Sequence, residues 1–220
     1  MSRSGSDAAK DPREQRARER ARETLILFAH GAGAGSNSPW MQAWAERLGR
    51  YGAVVPFDYP YVRAGRKAPD RLPRLLEAHR EALRAARARF RRRPRVVLCG
   101  KSMGSRVGCH LALEEEVAGL VCLGYPLRGV GKSAPVRSEV LEALRAPILF
   151  VQGTRDRLCP LDLLAEVRAR MQAPSALHVV EEGDHSLSVT KRHTRATGIS
   201  QEASDARALA AIGAFLGGLP

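Results

Sequence analysis

The stretch Cys99-Gly-Lys-Ser-Met-Gly-Ser105, CGKSMGS, admits two incompatible readings. Its Gly-Lys-Ser could close a phosphate-binding P-loop, whereas its Gly-x-Ser-x-Gly could form a nucleophile elbow that presents Ser102 to a carbonyl. Spacing decides between them. A P-loop needs a glycine five residues before Gly100, so that backbone N–H groups can wrap around phosphates, and that position is Arg95. The residues between, Val96, Val97, Leu98 and Cys99, are apolar and partly β-branched, which suits a buried strand running straight into the glycine.

An elbow requires a short buried strand, a sharp strained turn carrying the serine, and then a helix. Gly100 and Gly104 flank Ser102 and allow strand and helix to approach. The following MGSRVGCHLALEEE places Val107, Leu111 and Glu114 at helical spacing, with Gly108 available for close packing of the helix on a sheet. The motif alone is moderately specific, so its partners must be found elsewhere in the chain.

A chain of 220 residues suits one domain with a sizeable core. Residues 1–22, polar and highly charged, read as a disordered tail or frayed helix, and residues 23–220 as the single domain. No run of about 18 apolar residues suggests a membrane span, and the N-terminus lacks the apolar core of a secretory signal. Cys99, Cys109, Cys122 and Cys159 stand singly without metal-ligand spacing, so reduced thiols and a cytoplasmic location are expected, with no metal and no organic cofactor.

The formal charge of +13 raises nucleic-acid binding. Residues 74–95, RLLEAHREALRAARARFRRRPR, carry nine arginines against two glutamates. Leu72, Leu76, His79, Leu83, Ala86 and Phe90 form an apolar helical stripe there, and Arg80, Arg84, Arg87 and Arg91 another face. No aromatic side chains interleave the arginines for base stacking, so no specific nucleic-acid partner is expected, only weak, salt-sensitive attraction of anions.

Strand-like runs at 24–30, 53–59, 95–100, 117–125, 147–153 and 176–183 alternate with helical patterns near 39–50, 70–92, 103–115, 136–145, 161–172 and 203–217. That alternation gives an α/β fold, a three-layer, doubly wound and mostly parallel sheet of about six strands. Functional groups in such sheets gather beyond the carboxyl ends of the strands. Asp156 follows the run PILFVQG and His185 follows ALHVVEEG, so Ser102, Asp156 and His185 occur at three strand ends in the order nucleophile, acid, base. The serine hydroxyl needs a base to take its proton, and the carboxylate fixes the imidazole tautomer. Asp184 and His193 are rivals, but Asp184 suits a turn and His193 has no preceding strand to hold it.

The first strand ends in HGAGAGS, residues 30–36. A tetrahedral intermediate needs two N–H donors on its oxyanion. Met103, directly after the serine, supplies one and Ala32 the other, with Gly31 and Gly33 letting the backbone turn and His30 bracing the loop. A dinucleotide fingerprint fits poorly, since position 36 is Ser where the third glycine of G-x-G-x-x-G belongs.

HGAGAG, FDYPY followed by GRKAPDR, GKSMGSR, LGYPL followed by GK, FVQGTRD and GDHS together resemble the α/β-hydrolases from Thr24 to Leu219. More narrowly the chain resembles their small lidless group related to the testis-expressed and NSL-complex hydrolase-like proteins, with dienelactone hydrolases more distant. The resemblance implies that Ser102, Asp156 and His185 match the family's triad and that the sheet is reduced at its N-terminal edge. Residues 128–146 offer room for one helix but no folded cap, so an open, shallow site is expected. Gly33, Tyr61 and Lys101 are candidate substrate contacts, while Lys101, Arg66, Lys67 and Arg155 could attract an acidic substrate. LSVTKRHTRATGISQEAS after His185 reads as a mobile insertion, and Cys159 as packing. Two functions follow: a serine hydrolase acting on a small-molecule acyl ester, thioesters and amides being variants, or a hydrolase-fold scaffold with an idle triad.

Overall fold

The computed structural model describes residues 19–129, 131 and 134–220. The expectation for residues 1–18, and Lys132 of the GK motif, lie outside these. Residues 19–23 are helical and lead directly into the sheet.

Six strands form the sheet: β1 (Thr24–Ala29), β2 (Ala53–Phe57), β3 (Arg95–Lys101), β4 (Gly119–Leu123), β5 (Ile148–Gly153) and β6 (Ser175–Val180). Their order is β2-β1-β3-β4-β5-β6 and every pairing is parallel. The helices are α1 (Pro39–Leu48), α2 (Pro60–Arg63), α3 (Leu72–Arg87), α4 (Met103–Leu111), α5 (Glu139–Ala143), α6 (Leu161–Arg170), α7 (Lys191–Thr197) and α8 (Gln201–Gly218).

Side chains alternate across a strand, and the two cores follow from that alternation. Leu25, Leu27, Val96, Leu98, Cys122 and Phe150 face α3, α4 and α6. Ile26, Phe28, Val97, Cys99, Val121 and Val151 face α1 and α8. Both faces are covered, which is why the central strands read as unbroken apolar runs. Edge strand β2 tolerates Pro56 because no further strand pairs beyond it.

The chain reverses direction across the sheet at β1, going first to β2 and then to β3 on the other side. Such a switch opens a crevice between the loops after β1 and β3. The HGAGAGS loop and CGKSMGS therefore meet there, although about seventy residues separate them in sequence.

Several sequence expectations change. Helix α4 ends at Leu111, so Glu114 lies beyond it in a turn. A Cβ on Gly108 would make only ordinary contacts of 3.6 and 3.7 Å, so close packing does not require glycine there. The segment after His185 is not a free insertion: Thr190 caps α7, Gly198 ends it at φ 73, and Ser200 caps α8. Arginines of α3, and Arg93 in the turn after it, are matched by carboxylates. Arg80 meets Glu77, Glu114 and Glu115, Arg84 meets Glu77, Arg87 meets Glu115, and Arg93 meets Glu116. All four cysteines are free and buried. Among the described residues no helix is long and apolar enough to cross a membrane.

Candidate functional site

Ser102 sits between β3 and α4 with φ 51 and ψ −115, a backbone state that costs energy for a residue with a Cβ. Its N–H donates to the Leu123 carbonyl at 3.1 Å, which fixes the turn to β4. The neighbouring glycines are sterically required. A Cβ on Gly104 would strike the Ala29 carbonyl, and one on Gly100 would strike the Ser105 backbone nitrogen. The turn therefore presents the Ser102 side chain above the sheet, in the crevice.

His185 Nε2 lies 2.7 Å from Ser102 Oγ, and His185 Nδ1 lies 2.7 Å from Asp156 Oδ2. Residues far apart in sequence thus form one continuous hydrogen-bonded chain. The Asp156 side chain is fully buried and the His185 ring is about a quarter exposed. An ionised carboxylate without water needs donors on its other lone pairs, and it has them. The Leu158 N–H donates to Asp156 Oδ1 at 2.8 Å, and the Gln152 amide donates to Oδ2. Gln152 in turn accepts from the Tyr125 N–H at 3.0 Å. With both oxygens engaged, Nδ1 of His185 carries the proton and Nε2 is left to accept from the serine.

Gln152 was missed by sequence reasoning. Its signal was present, a lone amide in the fully buried strand ILFVQG, since a buried polar group needs a partner. Asp184 holds a turn, its Oδ1 accepting from Ser186 N–H at 2.7 Å and Ser188 N–H at 3.0 Å. His193 lies on α7.

The loop after β1 is built to point one N–H outward. His30 Nδ1–H donates to the Gly31 carbonyl at 2.6 Å, and its Nε2 accepts from Tyr59 N–H at 3.1 Å. Burial holds the His30 pKa below its ordinary value, which keeps this neutral tautomer. The Tyr61 hydroxyl reaches the Gly31 and Ala32 carbonyls at 3.2 and 3.0 Å. A trans peptide directs its N–H opposite its C=O, so anchoring the Gly31 carbonyl inward aims the Ala32 N–H into the crevice. Neither Ala32 nor Met103 N–H donates a loop or cap hydrogen bond among the described residues. Asp58 pins the loop further by accepting from Ser36 N–H at 2.6 Å. Glycine is sterically demanded here only at Gly35, whose Cβ would crowd Asp58 and Val62; Gly31 and Gly33 have room.

These groups border a cavity of about 620 Å³, lined by Ala32, Gly33, Trp40, Met41, Lys101, Ser102, Leu158 and His185 among others. Gly33 and Lys101 line this cavity, with the Lys101 ammonium bonded to Ser186 Oγ and the His185 carbonyl. Tyr61, a candidate substrate contact in the sequence, does not line it: it is 1% exposed and supports the loop from beneath, with burial pushing its phenol pKa up to about 12. Arg66, Lys67 and Arg155 are likewise not among the lining residues. Arg66 pairs with Asp70 at 2.6 Å and Arg155 with Glu182 at 3.7 Å. Cys159 is fully buried, and desolvation with help from Asp156 pushes its thiol pKa up to about 12, which leaves it no thiolate.

A family model described as an alpha/beta hydrolase domain matches residues 22–217. The solved structure of an alpha-beta serine hydrolase homologue from Coxiella burnetii is similar at a TM-score of 0.66, with 19% identity over 84% of this chain and 85% of that one. A dienelactone hydrolase from Anabaena variabilis is similar at 0.61, with 20% identity over 84% and 85%. At such identities the likeness is one of fold. The uncharacterized protein YqkD of Bacillus subtilis is 32% identical over 72 residues, 32% of this chain and 22% of that relative's length.

Proposed function

The chain belongs to the alpha/beta hydrolase family, and from that premise we propose that it is a serine hydrolase cleaving a small carboxylic ester through an acyl-enzyme on Ser102. The observation that carries this reading is the unbroken chain Asp156–His185–Ser102, with 2.7 Å at both links to the imidazole.

His185 Nε2 takes the Ser102 proton as Oγ bonds to the ester carbonyl carbon, and the carbonyl π pair moves onto oxygen. Asp156 keeps the Nδ1–H aligned and stabilises the imidazolium. The Ala32 and Met103 N–H groups receive the oxyanion; losing one such donor typically costs about 3 kcal/mol in the barrier. Collapse breaks the C–O bond, and His185 returns the proton to the departing alkoxide. Water then repeats the sequence to release the acid. Thioesters and amides fit the same chemistry.

The cavity favours uncharged acyl groups. Its apolar lining comes from Trp40, Met41, Leu158 and the alanines of the loop. Of the cations offered by the sequence for an acidic substrate, Arg66 and Arg155 pair with carboxylates, Lys101 bonds the His185 loop, and Lys67 is exposed and does not line the cavity.

A fluorophosphonate probe tests this against the scaffold reading. Stoichiometric labelling of the native chain, abolished in Ser102→Ala, is expected. Folded protein that takes no label would leave the scaffold.

A further inference from the structure

Lys101 lies directly before Ser102, and strand alternation puts its side chain on the face of Val97 and Cys99, which α1 covers. A part-buried ammonium must find acceptors for its three protons. It finds two in the loop that carries His185. Lys101 Nζ donates to Ser186 Oγ at 2.9 Å and to the His185 carbonyl at 3.3 Å. It also sits 4.6 Å from the centroid of the Trp40 ring. The Trp40 Nε1–H donates at 2.9 Å to the Ser186 carbonyl, closing the arrangement.

The rest of that loop is fastened at its ends. The Arg155 N–H holds the Gly183 carbonyl at 2.9 Å, and the Gln201 amide holds the Leu187 carbonyl at 3.1 Å. Asp184 shapes the turn from within but ties it to no other element. At the tip, the His185 ring bonds to Asp156 and Ser102, and the remaining bonds to other parts of the chain come from Lys101 and Trp40. The His185 carbonyl is further seated against Gly124, at φ 64, where a Cβ would come within 2.5 Å of it.

We propose that Lys101 is a positioning residue: it mounts the histidine loop on the same strand end that carries the nucleophile, so that base and serine keep their separation. Lys101 acts through His185 and touches neither the reacting bond nor a substrate charge. The kinetic consequence rests on the acyl-enzyme reading; the geometric one does not.

The test uses Lys101→Met, which keeps the stem over Trp40 but removes the donors, and Ser186→Ala, which removes one acceptor with little risk to folding. Three quantities are read in the full chain: the rate of Ser102 labelling by a small fluorophosphonate, kcat and KM on a p-nitrophenyl ester, and hydrogen exchange of residues 183–189. Lys101→Met is expected to slow labelling and kcat by about tenfold to a hundredfold with KM within about twofold, and to speed exchange of 183–189. Ser186→Ala is expected to move all three in the same direction by about fivefold or less, and it decides the matter alone if Lys101→Met does not fold. Unchanged exchange in the folded variants overturns the proposal. So does faster exchange with unchanged labelling, or a raised KM with unchanged labelling. If the native chain does not label at all, the acyl-enzyme reading fails and exchange alone judges the clamp.

Discussion

At the residue scale, buried polar side chains do most to fix the site, and a buried histidine among them carries a cost that pH can expose. His79 is fully buried, its Nδ1 3.1 Å from the Tyr59 hydroxyl and its Nε2 without a partner among the described residues. Desolvation lowers its pKa from 6.5 to about 3. A folded pKa below the unfolded one means that the unfolded chain binds more protons between those values, so stability falls as pH drops through 6.5 toward 3. Over the whole window the loss from this one group is about 4 kcal/mol. We expect His79→Phe to be less stable than the native chain at pH 7, where it leaves the Tyr59 hydroxyl unpaired, by about 1–3 kcal/mol. The deficit should shrink or reverse by pH 4, as read by urea unfolding at several pH values. A deficit that stays constant with pH would remove His79 as the source of acid lability.

At the element scale, the elbow depends on how closely α4 approaches the sheet. Gly104 faces the Ala29 carbonyl with no space for a methyl group, whereas Gly108, one turn on, has it. Gly104→Ala is therefore expected to lose about 3 kcal/mol or more, since backbone on both sides must move. Gly108→Ala should be neutral or gain up to about 1 kcal/mol from helix propensity. Thermal unfolding of the pair measures the contrast, and equal losses would contradict this account. Element boundaries show where local signals sufficed. Strand β3 and the elbow were readable because apolar β-branched residues run straight into glycine. Helix α7 went unread, although its marks were there in Thr190 at the N-cap, Gly198 at the end and Ser200 opening α8. Its residues, KRHTRAT, have no apolar stripe and none is buried, so periodicity gave no warning of it.

At the scale of the whole molecule, charge and shape together define what reaches the site. Arginines of helix α3 pair with Glu77 and with Glu114 and Glu115 from the segment after α4, and Arg93 beyond the helix pairs with Glu116. Exposed pairs of this kind are each worth little, about 0–1 kcal/mol, and they offset part of the local positive charge of residues 74–95. Between β4 and β5 the described residues hold one short helix, α5, so the cavity stays open to solvent. We expect kcat/KM on p-nitrophenyl esters to rise by about twofold to fourfold per methylene from acetate until the apolar lining is filled. A succinyl ester should fare worse than a butyryl ester at low salt. A preference for the acidic ester would overturn the view that the cavity favours uncharged acyl groups.

The sequence by itself determined the sheet, the placing of Ser102, Asp156 and His185 just beyond three strand ends, and the two glycines that the turn at Ser102 demands, because each depends on short-range sterics or on a strand's alternating burial. Only the tertiary structure decided what the second layer of polar groups does. Gln152 reaches Asp156, Tyr61 turns from substrate contact to loop support, and Lys101 bonds the histidine loop. Those roles depend on where a side chain meets another element, and a buried donor takes whichever acceptor the packing brings within reach.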